Sequence, residues 1–412
     1  MKIGVIGDDF TGSGDIANVL ARAGARTIQY TGIPAGSVRD CDAAIIALKI
    51  RSATSGMAVD QALAACRWLV KSGAEQIVFK VCSTFDSTPQ GNIGPVAEAL
   101  RTELNAGPVL VCPALPVNGR TVYQGHLFVY DRLLNESGMA RHPLTPMSDP
   151  DIRRWLQRQT SLKVGHLSLG AIVRPGALAE VAAQGAQFIV ADALTDADLR
   201  ALAEQARGSR LVVGGSGIAI GLPGNFGIRA ASAPQSAFKG AKGPTLLMSG
   251  SCSTVTRGQI AAWTPTHPHL RLAPEHALNP EETIRQAFAF VERHRDAAPL
   301  IYSSADPAEV AEAQAQYGAG ILAEGFDSIF AGLARLAVEH GITRLIVAGG
   351  ETSGAVATEL GPLAFRVGPE IAPGVPILWH DGKPPVALAL KSGNFGDPDF
   401  FAQALTLFGG TS

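Results

Sequence analysis

The chain has 412 residues, 46% hydrophobic and 17% charged, with a formal net charge of −2, a balance that suits two packed domains and excludes a disordered or fibrous protein. Its basic residues are scattered, which excludes the electrostatic footprint of a nucleic-acid binder, and no apolar run reaches the ~20 residues of a membrane span. The first strand begins within two residues of Met1 with no leader pattern, and Cys41, Cys66, Cys82, Cys112 and Cys252 include no CxxC spacing, so a reduced, cytoplasmic protein is expected.

Residues 2–17, KIGVIGDDFTGSGDIA, open the chain. Ile3, Val5 and Ile6 suit a buried strand, and Gly7, Gly12 and Gly14 carry tight backbone at its carboxyl end, where open α/β sheets bind ligands. Gly7 and Gly12 match the first half of a P-loop, but Ser13 and Gly14 stand where that loop needs lysine and a hydroxyl residue. Gly12, Ser13, Gly14 and Ala17 fit GxGxxA, yet Asp8 and Asp9 would repel a pyrophosphate, and no acidic residue ends the next strand at 27–30. What remains is a loop presenting carboxylates, fit to accept a hydroxyl proton, bind sugar hydroxyls or hold magnesium. The structural alternative is that Asp8 or Asp9 caps the following helix.

Strands are expected at 2–6, 27–30, 43–48, 76–80 and 109–111, alternating with helices of which 15–25 and 58–71 are clearest. The rhythm breaks at 118–150, an irregular insertion carrying His126. It resumes with strands at 163–167, 187–191 and 210–213 and helices at 175–184 and 196–206. The GGSGIAIG stretch at 214–221 reads as a turn packed on the core rather than a phosphate loop. Periodicity is lost again over 228–244, giving domains 1–230 and 244–412 joined by a linker at 231–243. The second domain repeats the alternation, with strands at 245–248, 270–273, 299–303, 344–348, 375–378 and 386–391 and helices at 253–263, 281–293 and 329–339. Residues 380–382 read as the turn of a hairpin ending in an antiparallel edge. The fold class is α/β, in two domains, each a mostly parallel β-sheet flanked by helices.

In the first domain Arg51 and Ser52 follow the third strand, and Lys80 closes the fourth before CSTFDSTPQGNIG at 82–94. Arg51 and Lys80 could neutralise a substrate carboxylate while Asp8, Asp9, Ser83, Asp86 and Asn92 take up hydroxyls, the outline of a sugar-acid pocket. Alternatively, Arg51 and Lys80 pair structurally with Asp9 or Asp86. In the second domain three strands run into glycine and hydroxyl-rich loops, SGSCS at 249–253, GGETSG at 349–354 and KSGNFG at 391–396. Such loops let backbone N–H groups approach phosphate oxygens, although Ser253 or Thr352 also suits a helix cap and Gly393 a turn. Cys252 is a candidate nucleophile by residue type, but no histidine partner is identifiable and burial explains it equally well.

The segment 6–15, the loop 80–94 and these three loops resemble, in order and over nearly the whole chain, the four-carbon acid sugar kinases. The resemblance implies an N-terminal domain for the sugar acid, a C-terminal domain for ATP, and an active site in the cleft between them. It further implies transfer from MgATP to the terminal hydroxyl of 3-oxo-tetronate, D-threonate or D-erythronate. Threonate and erythronate kinases tend to carry a compact K-x-x-D-S-T-L-R-G after the fourth strand, and the longer KVCSTFDSTPQGNIG here resembles the form that takes 3-oxo-tetronate. On this reading Asp9 accepts the hydroxyl proton and Asp8 contacts substrate or magnesium. Arg51 and Lys80 hold the carboxylate, and Ser52, Ser83, Asp86 and Asn92 complete the pocket. Ser251, Ser253, Gly349, Gly350, Glu351, Thr352, Ser353 and Gly393 cradle the nucleotide, while the metal ligands stay unassigned. The expected partners are ATP and a four-carbon sugar acid, with no nucleic acid or membrane and with homo-oligomer formation left open. The rival classes are a non-enzymatic sugar-acid binding protein, which the phosphate-type loops disfavour, and a sugar-acid dehydrogenase, which the failed Rossmann spacing disfavours.

Overall fold

Short aliphatic runs bounded by glycine and polar turns form the strands, and alanine-rich segments form the helices that cover them. The computed structural model describes residues 1–141, 145–230 and 238–409, in two compact units, Met1–Pro234 and Gln235–Ser412.

The first unit contains β1 (Ile3–Gly7), α1 (Phe10–Arg22), β2 (Thr27–Tyr30), β3 (Ala43–Ala47), α2 (Ser55–Lys71), β4 (Gln76–Lys80), α3 (Ile93–Glu103) and β5 (Val109–Cys112). It continues with β6 (Arg120–Tyr123), β7 (His126–Val129), β8 (Arg132–Leu133), α4 (Ile152–Gln157), β9 (Val164–Leu167), α5 (Ala177–Ala183), β10 (Phe188–Ala191), α6 (Asp196–Gln205) and β11 (Leu211–Gly214). Its main strands pair in parallel in the order β2-β3-β1-β4-β11-β5-β10-β9. Every residue of β1, β3 and β4 is buried, as strands covered on both faces require. The chain leaves β1 toward β2 on one side and leaves β4 toward β5 on the other. The carboxyl ends of these two neighbours therefore flank a topological switch point, where open parallel sheets bind ligands.

The second unit contains β12 (Thr245–Ser249), α7 (Thr254–Trp263), β13 (His269–Arg271), α8 (Pro280–Arg293), β14 (Leu300–Tyr302), α9 (Pro307–Tyr317) and α10 (Ala319–Glu339). Then come β15 (Arg344–Ala348), α11 (Gly350–Glu359), β16 (Ala364–Ala372), β17 (Val375–His380), β18 (Val386–Lys391) and α12 (Phe400–Phe408). Its order is β13-β14-β12-β15-β18-β17-β16, parallel from β13 to β18 and antiparallel beyond. Connections leave β12 and β15 in opposite directions, so this sheet has its own switch point, between the 249–253 and 349–354 loops.

Several expectations are corrected. The last hairpin exists, but β18 is no edge: it sits between β15 and β17 and is parallel to β15. The strand beyond them, β16, is interrupted by Gly368 and Pro369, which hide its alternation and accompany register shifts against β17. Residues 118–150 are not wholly irregular, because β6, β7 and β8 form a small antiparallel sheet turned by Gln124 and Gly125 at positive φ. Helix α1 begins at Phe10 rather than 15, and α10 at Ala319 rather than 329. The 214–221 stretch is a packing turn, as expected: added Cβ atoms at Gly214, Gly215 and Gly217 would lie 2.2–2.4 Å from the carbonyl oxygens of Cys112, Pro113 and Ala114. Of the expected linker, 231–237 lie outside the described residues. Phe238 joins the core of the second unit, and the Ala241 N–H donates to the Phe408 carbonyl (2.7 Å). Among the described residues no helix is long and apolar enough to cross a membrane.

Candidate functional site

In the first unit the switch point gathers four charged side chains. The Asp8 N–H donates to the Lys80 carbonyl (3.1 Å), and the Asp8 carbonyl accepts from the N–H groups of Ile50 and Arg51 (3.1 Å each), tying the loop after β1 to the ends of β3 and β4. Arg51 forms a fork with Asp8 through Nε (2.9 Å) and Nη2 (2.7 Å), and Nη2 also meets Asp9 Oδ1 (2.7 Å). Asp9 caps α1 by accepting from Gly12 N (3.1 Å), and Thr11 Oγ1 donates to its other oxygen (2.7 Å). A Cβ added to Gly12 would lie 2.4 Å from Asp9 Oδ1 and 2.8 Å from Lys80 Nζ. Only glycine lets that carboxylate and ammonium converge there.

The two carboxylates differ electrostatically. Burial pushes Asp9 upward, but the Arg51 and Lys80 charges and the bonds from Thr11 and Gly12 together outweigh it, holding Asp9 below the usual carboxylate range. Asp8 is driven above that range by burial, which the Arg51 fork only partly offsets and the neighbouring Asp9 charge reinforces. Asp9 is therefore the carboxylate kept ionised beside a lysine.

The other expected residues fall into place unevenly. Both alternatives for the acidic loop are present in part, because Asp9 is a helix cap and Arg51 is committed to Asp8 and Asp9. Lys80 is buried and donates to the Val81 carbonyl (2.7 Å). Asp86 accepts from Thr84 Oγ1 (2.5 Å), across a turn in which buried Phe85 adopts φ 57°, a strained conformation for an aromatic residue. Ser52 is exposed and Ser83 half-buried. The Asn92 amide is spent on main chain, donating to the carbonyls of Ile50 and Ala53 (2.8 Å each) while its oxygen accepts from Ser55 Oγ (3.0 Å). It braces the Arg51 loop from behind. Sequence reasoning missed Thr11 and Ser13, whose Oγ donates to the Asp9 carbonyl (2.7 Å); hydroxyls two and four residues after a capping aspartate were the available signal. His126, from the insertion, holds the Gln124 carbonyl through Nδ1 (2.8 Å).

In the second unit the three glycine loops pack on one another. Ser253 Oγ caps α7, accepting from Thr256 N (3.1 Å), and donates to the Gly393 carbonyl (2.6 Å), which also accepts from Thr256 Oγ1 (2.7 Å). Lys391 is fully buried, with Nζ 2.9 Å from Thr256 Oγ1 and 3.1 and 3.2 Å from the carbonyls of Ser392 and Gly393. Burial pushes this ammonium down to about 7. A Cβ at Gly393 would meet Ser251 Oγ at 2.5 Å, and Gly349 has φ 122° with its Cβ direction facing Ser251 N at 3.2 Å. Gly350 has open space around it and Glu351 is exposed, whereas the Thr352 and Ser353 side chains are buried. The Ser353 N–H is already donated to the Gly349 carbonyl (2.8 Å). Thr256 and Lys391 were not picked out as site residues, although a lysine closing the apolar run VALAL was a visible signal.

Residues 3–222 match the family described as sugar-binding N-terminal domain, and residues 246–401 match the nucleotide-binding C-terminal domain. The chain belongs to the four-carbon acid sugar kinase family. Among the relatives of this kinase are the 3-oxo-tetronate kinases of Burkholderia multivorans, 46% identical over 100% of this chain and 98% of the relative, and Cupriavidus necator, 47% identical over 99% and 97%. A solved structure from Salmonella typhimurium LT2, under a provisional tRNA synthase heading, has a TM-score of 0.85 and 42% identity, covering 98% of both chains. The four-charge cluster of this kinase thus lies in its sugar-binding domain and the three glycine loops lie in its nucleotide-binding domain.

Proposed function

We propose that this chain transfers the γ-phosphoryl group of MgATP to the C4 hydroxyl of 3-oxo-tetronate, giving the 4-phosphate and ADP. The observation that carries the reading is the ionised Asp9 beside Lys80 at the switch point of the sugar-binding domain, in a chain alike over its whole length to 3-oxo-tetronate kinases. Phosphoryl transfer needs positioning and charge neutralisation above all. Asp9 orients the attacking hydroxyl and accepts its proton. Asp8 contacts the substrate. Lys80 and Arg51 supply the positive charge that holds the acid, Arg51 also fixing the two aspartates, while Ser52, Ser83 and Asp86 face the remaining polar groups and Asn92 keeps the Arg51 loop in place. Ser251, Ser253, Gly393 and the 349–353 loop form the nucleotide cradle. Acceptor and donor meet in the cleft as the two domains close, which excludes water.

Among the described residues no group of three or more His, Cys, Asp or Glu side chains is placed to hold a metal. Magnesium ordinarily takes its ligands from one or two carboxylates, phosphates and water, so it enters this reading with the nucleotide, where it neutralises phosphate charge.

Incubation with ATP and 3-oxo-tetronate, D-threonate or D-erythronate, followed by ADP release, tests the reading. The highest kcat/KM is expected with 3-oxo-tetronate. A higher value with D-threonate or D-erythronate changes the substrate, and no ADP with any acid removes the kinase. The cradle has its own test. In Gly393→Val the new side chain meets Ser251 Oγ, so KM for ATP should rise about tenfold or more, equivalent to ~1.4 kcal/mol, with KM for the acid near wild type. Equal increases in both would point to a general folding defect.

A further inference from the structure

The loop that leaves β18, KSGNFGD at 391–397, has its carbonyls held from behind. The Gly393 carbonyl accepts from Ser253 Oγ (2.6 Å), Thr256 Oγ1 (2.7 Å) and Lys391 Nζ (3.2 Å). Lys391 Nζ also donates to the Ser392 carbonyl (3.1 Å) and to Thr256 Oγ1 (2.9 Å), whose own hydrogen is committed to Gly393. Three residues further along α7, Gln259 Nε2 reaches the carbonyls of Phe395, Gly396 and Asp397 (3.0 Å each). Lys391 and Gln259 are fully buried, and Gln259 Oε1 has no donor among the described residues. A buried ammonium without a carboxylate and a buried amide with one end unmet both carry a desolvation cost that an apolar filler would avoid.

Fixing a carbonyl also fixes the N–H of the same peptide, because the two point in opposite directions across a planar trans amide. The carbonyls of Ser392, Gly393, Phe395 and Gly396 turn inward, so the N–H groups of Gly393, Asn394, Gly396 and Asp397 turn outward. None of these four N–H groups is spent on an acceptor among the described residues, and the loop is half-buried or exposed at each of them. Gly393 lies against Ser251, to whose Oγ an added Cβ would come within 2.5 Å, so these N–H groups join the 249–253 loop in one anion-facing surface. We propose that Lys391 and Gln259 are positioning residues, which hold the loop carbonyls from behind and thereby aim its N–H groups at the nucleotide phosphates. The inference rests on the kinase reading and adds to it two side chains that act through the loop.

Lys391 also brings a titratable charge. The charged groups on the elements packed around it are Arg257 on α7, Glu351 on α11, and Asp397 and Asp399 past the loop; α12, the 249–253 loop and the facing ends of β15 and β17 carry none. None of them shifts Lys391, and burial alone pushes its ammonium down to about 7. The neutral amine has two hydrogens for three acceptors, so one bond to the loop is lost above that value. A bound polyanion favours the ammonium, so nucleotide binding draws a proton onto Lys391.

Isothermal titration of the full-length protein with ADP at about pH 8, in buffers of different ionisation enthalpy, tests the inference. Wild-type protein should take up a fraction of a proton per ADP bound. In Lys391→Met ADP affinity should fall about tenfold and the uptake should vanish; in Gln259→Leu affinity should fall by a similar factor with the uptake retained. Both variants should keep KM for the sugar acid within about twofold of wild type, which a general folding defect would not. Wild-type ADP affinity in both variants, or uptake unchanged in Lys391→Met, would overturn the positioning role while leaving kinase turnover standing. The wild-type measurement needs no variant, and absence of uptake there would overturn the role of Lys391 even if Lys391→Met does not fold. Failure of wild-type protein to bind ADP at all is a different result and would remove the nucleotide reading itself.

Discussion

Asp9→Asn is expected to lower kcat by about 10²–10⁴-fold, the usual contribution of a positioned general base, while leaving the fold intact and KM for ATP near wild type. The substitution separates the two roles that one carboxylate combines. Asparagine caps helices about as well as aspartate: its one side-chain oxygen can still accept from Gly12 N, and its NH2 can donate to Thr11 Oγ1, which then accepts, so α1 keeps its start. Arg51 retains its fork to Asp8. What disappears is the negative charge beside Lys80 and the capacity to take a proton. Because Asp9 sits below its ordinary value of 3.8, its basic form is complete throughout neutral pH, and the wild-type rate should show no acid limb from Asp9 until pH falls below that value. Initial rates with saturating ATP, together with thermal unfolding, decide the matter. Turnover near wild type in a folded Asp9→Asn protein would pass the role to Asp86, the next carboxylate on that edge.

The glycines around Asp9 show how sequence reading works and where it stops. Gly7 and Gly12 carry the spacing of a phosphate loop, yet their reason lies within the loop: a Cβ on Gly7 would strike Ser13 Oγ at 1.9 Å, and one on Gly12 would strike Asp9 and Lys80. Charge type, read from Asp8 and Asp9, was the better guide than glycine count. Strands such as 27–30, 76–80, 344–348 and 386–391 were legible to the residue because buried parallel strands are written as short apolar runs. The strand order was not legible, since pairing β1 with β3 and β4 is a property of crossovers rather than of any local pattern. For the same reason Arg51 could be placed near the acidic loop but not onto both aspartates, and Asn92 could not be seen as a brace because its amide donates to main-chain carbonyls. Concavity does not locate the chemistry either. The hollow of about 790 Å³ in the first unit is lined by Asn105, Gly107, Gly208 and Arg210, on segments leading into β5 and β11 at the opposite edge of the sheet from Asp8.

The largest stability effect is expected at Asp192→Ala, far from these reacting groups in sequence. Asp192 follows β10 with a fully buried side chain, and its two oxygens accept from Gln124 N (3.0 Å), Gly125 N (2.9 Å), Leu169 N (3.0 Å) and His166 Nε2 (2.9 Å). One carboxylate thereby holds the β6–β7 turn, in which Gln124 is a non-glycine residue at positive φ, against the end of β9 and the loop that follows it. Alanine leaves three main-chain N–H groups without their acceptor, each costing about 1–3 kcal/mol when buried; with partial rehydration the loss should be about 3–5 kcal/mol. The unfolding temperature should drop by roughly 10 °C, and Asp192→Asn, which keeps an acceptor oxygen, should lose less. The pH dependence has a definite sign. Burial alone would raise the Asp192 carboxyl, but the bonds from His166, Gly125 and Gln124 outweigh it and hold the group below 3.8. Its folded value therefore lies below its unfolded one, so its contribution is present above 3.8 and is lost as pH falls through the folded value. Urea unfolding at neutral pH should separate wild type widely from Asp192→Ala, and the gap should narrow under strong acid. A gap unchanged between the two conditions would mean that the ionised carboxylate is not what anchors the turn.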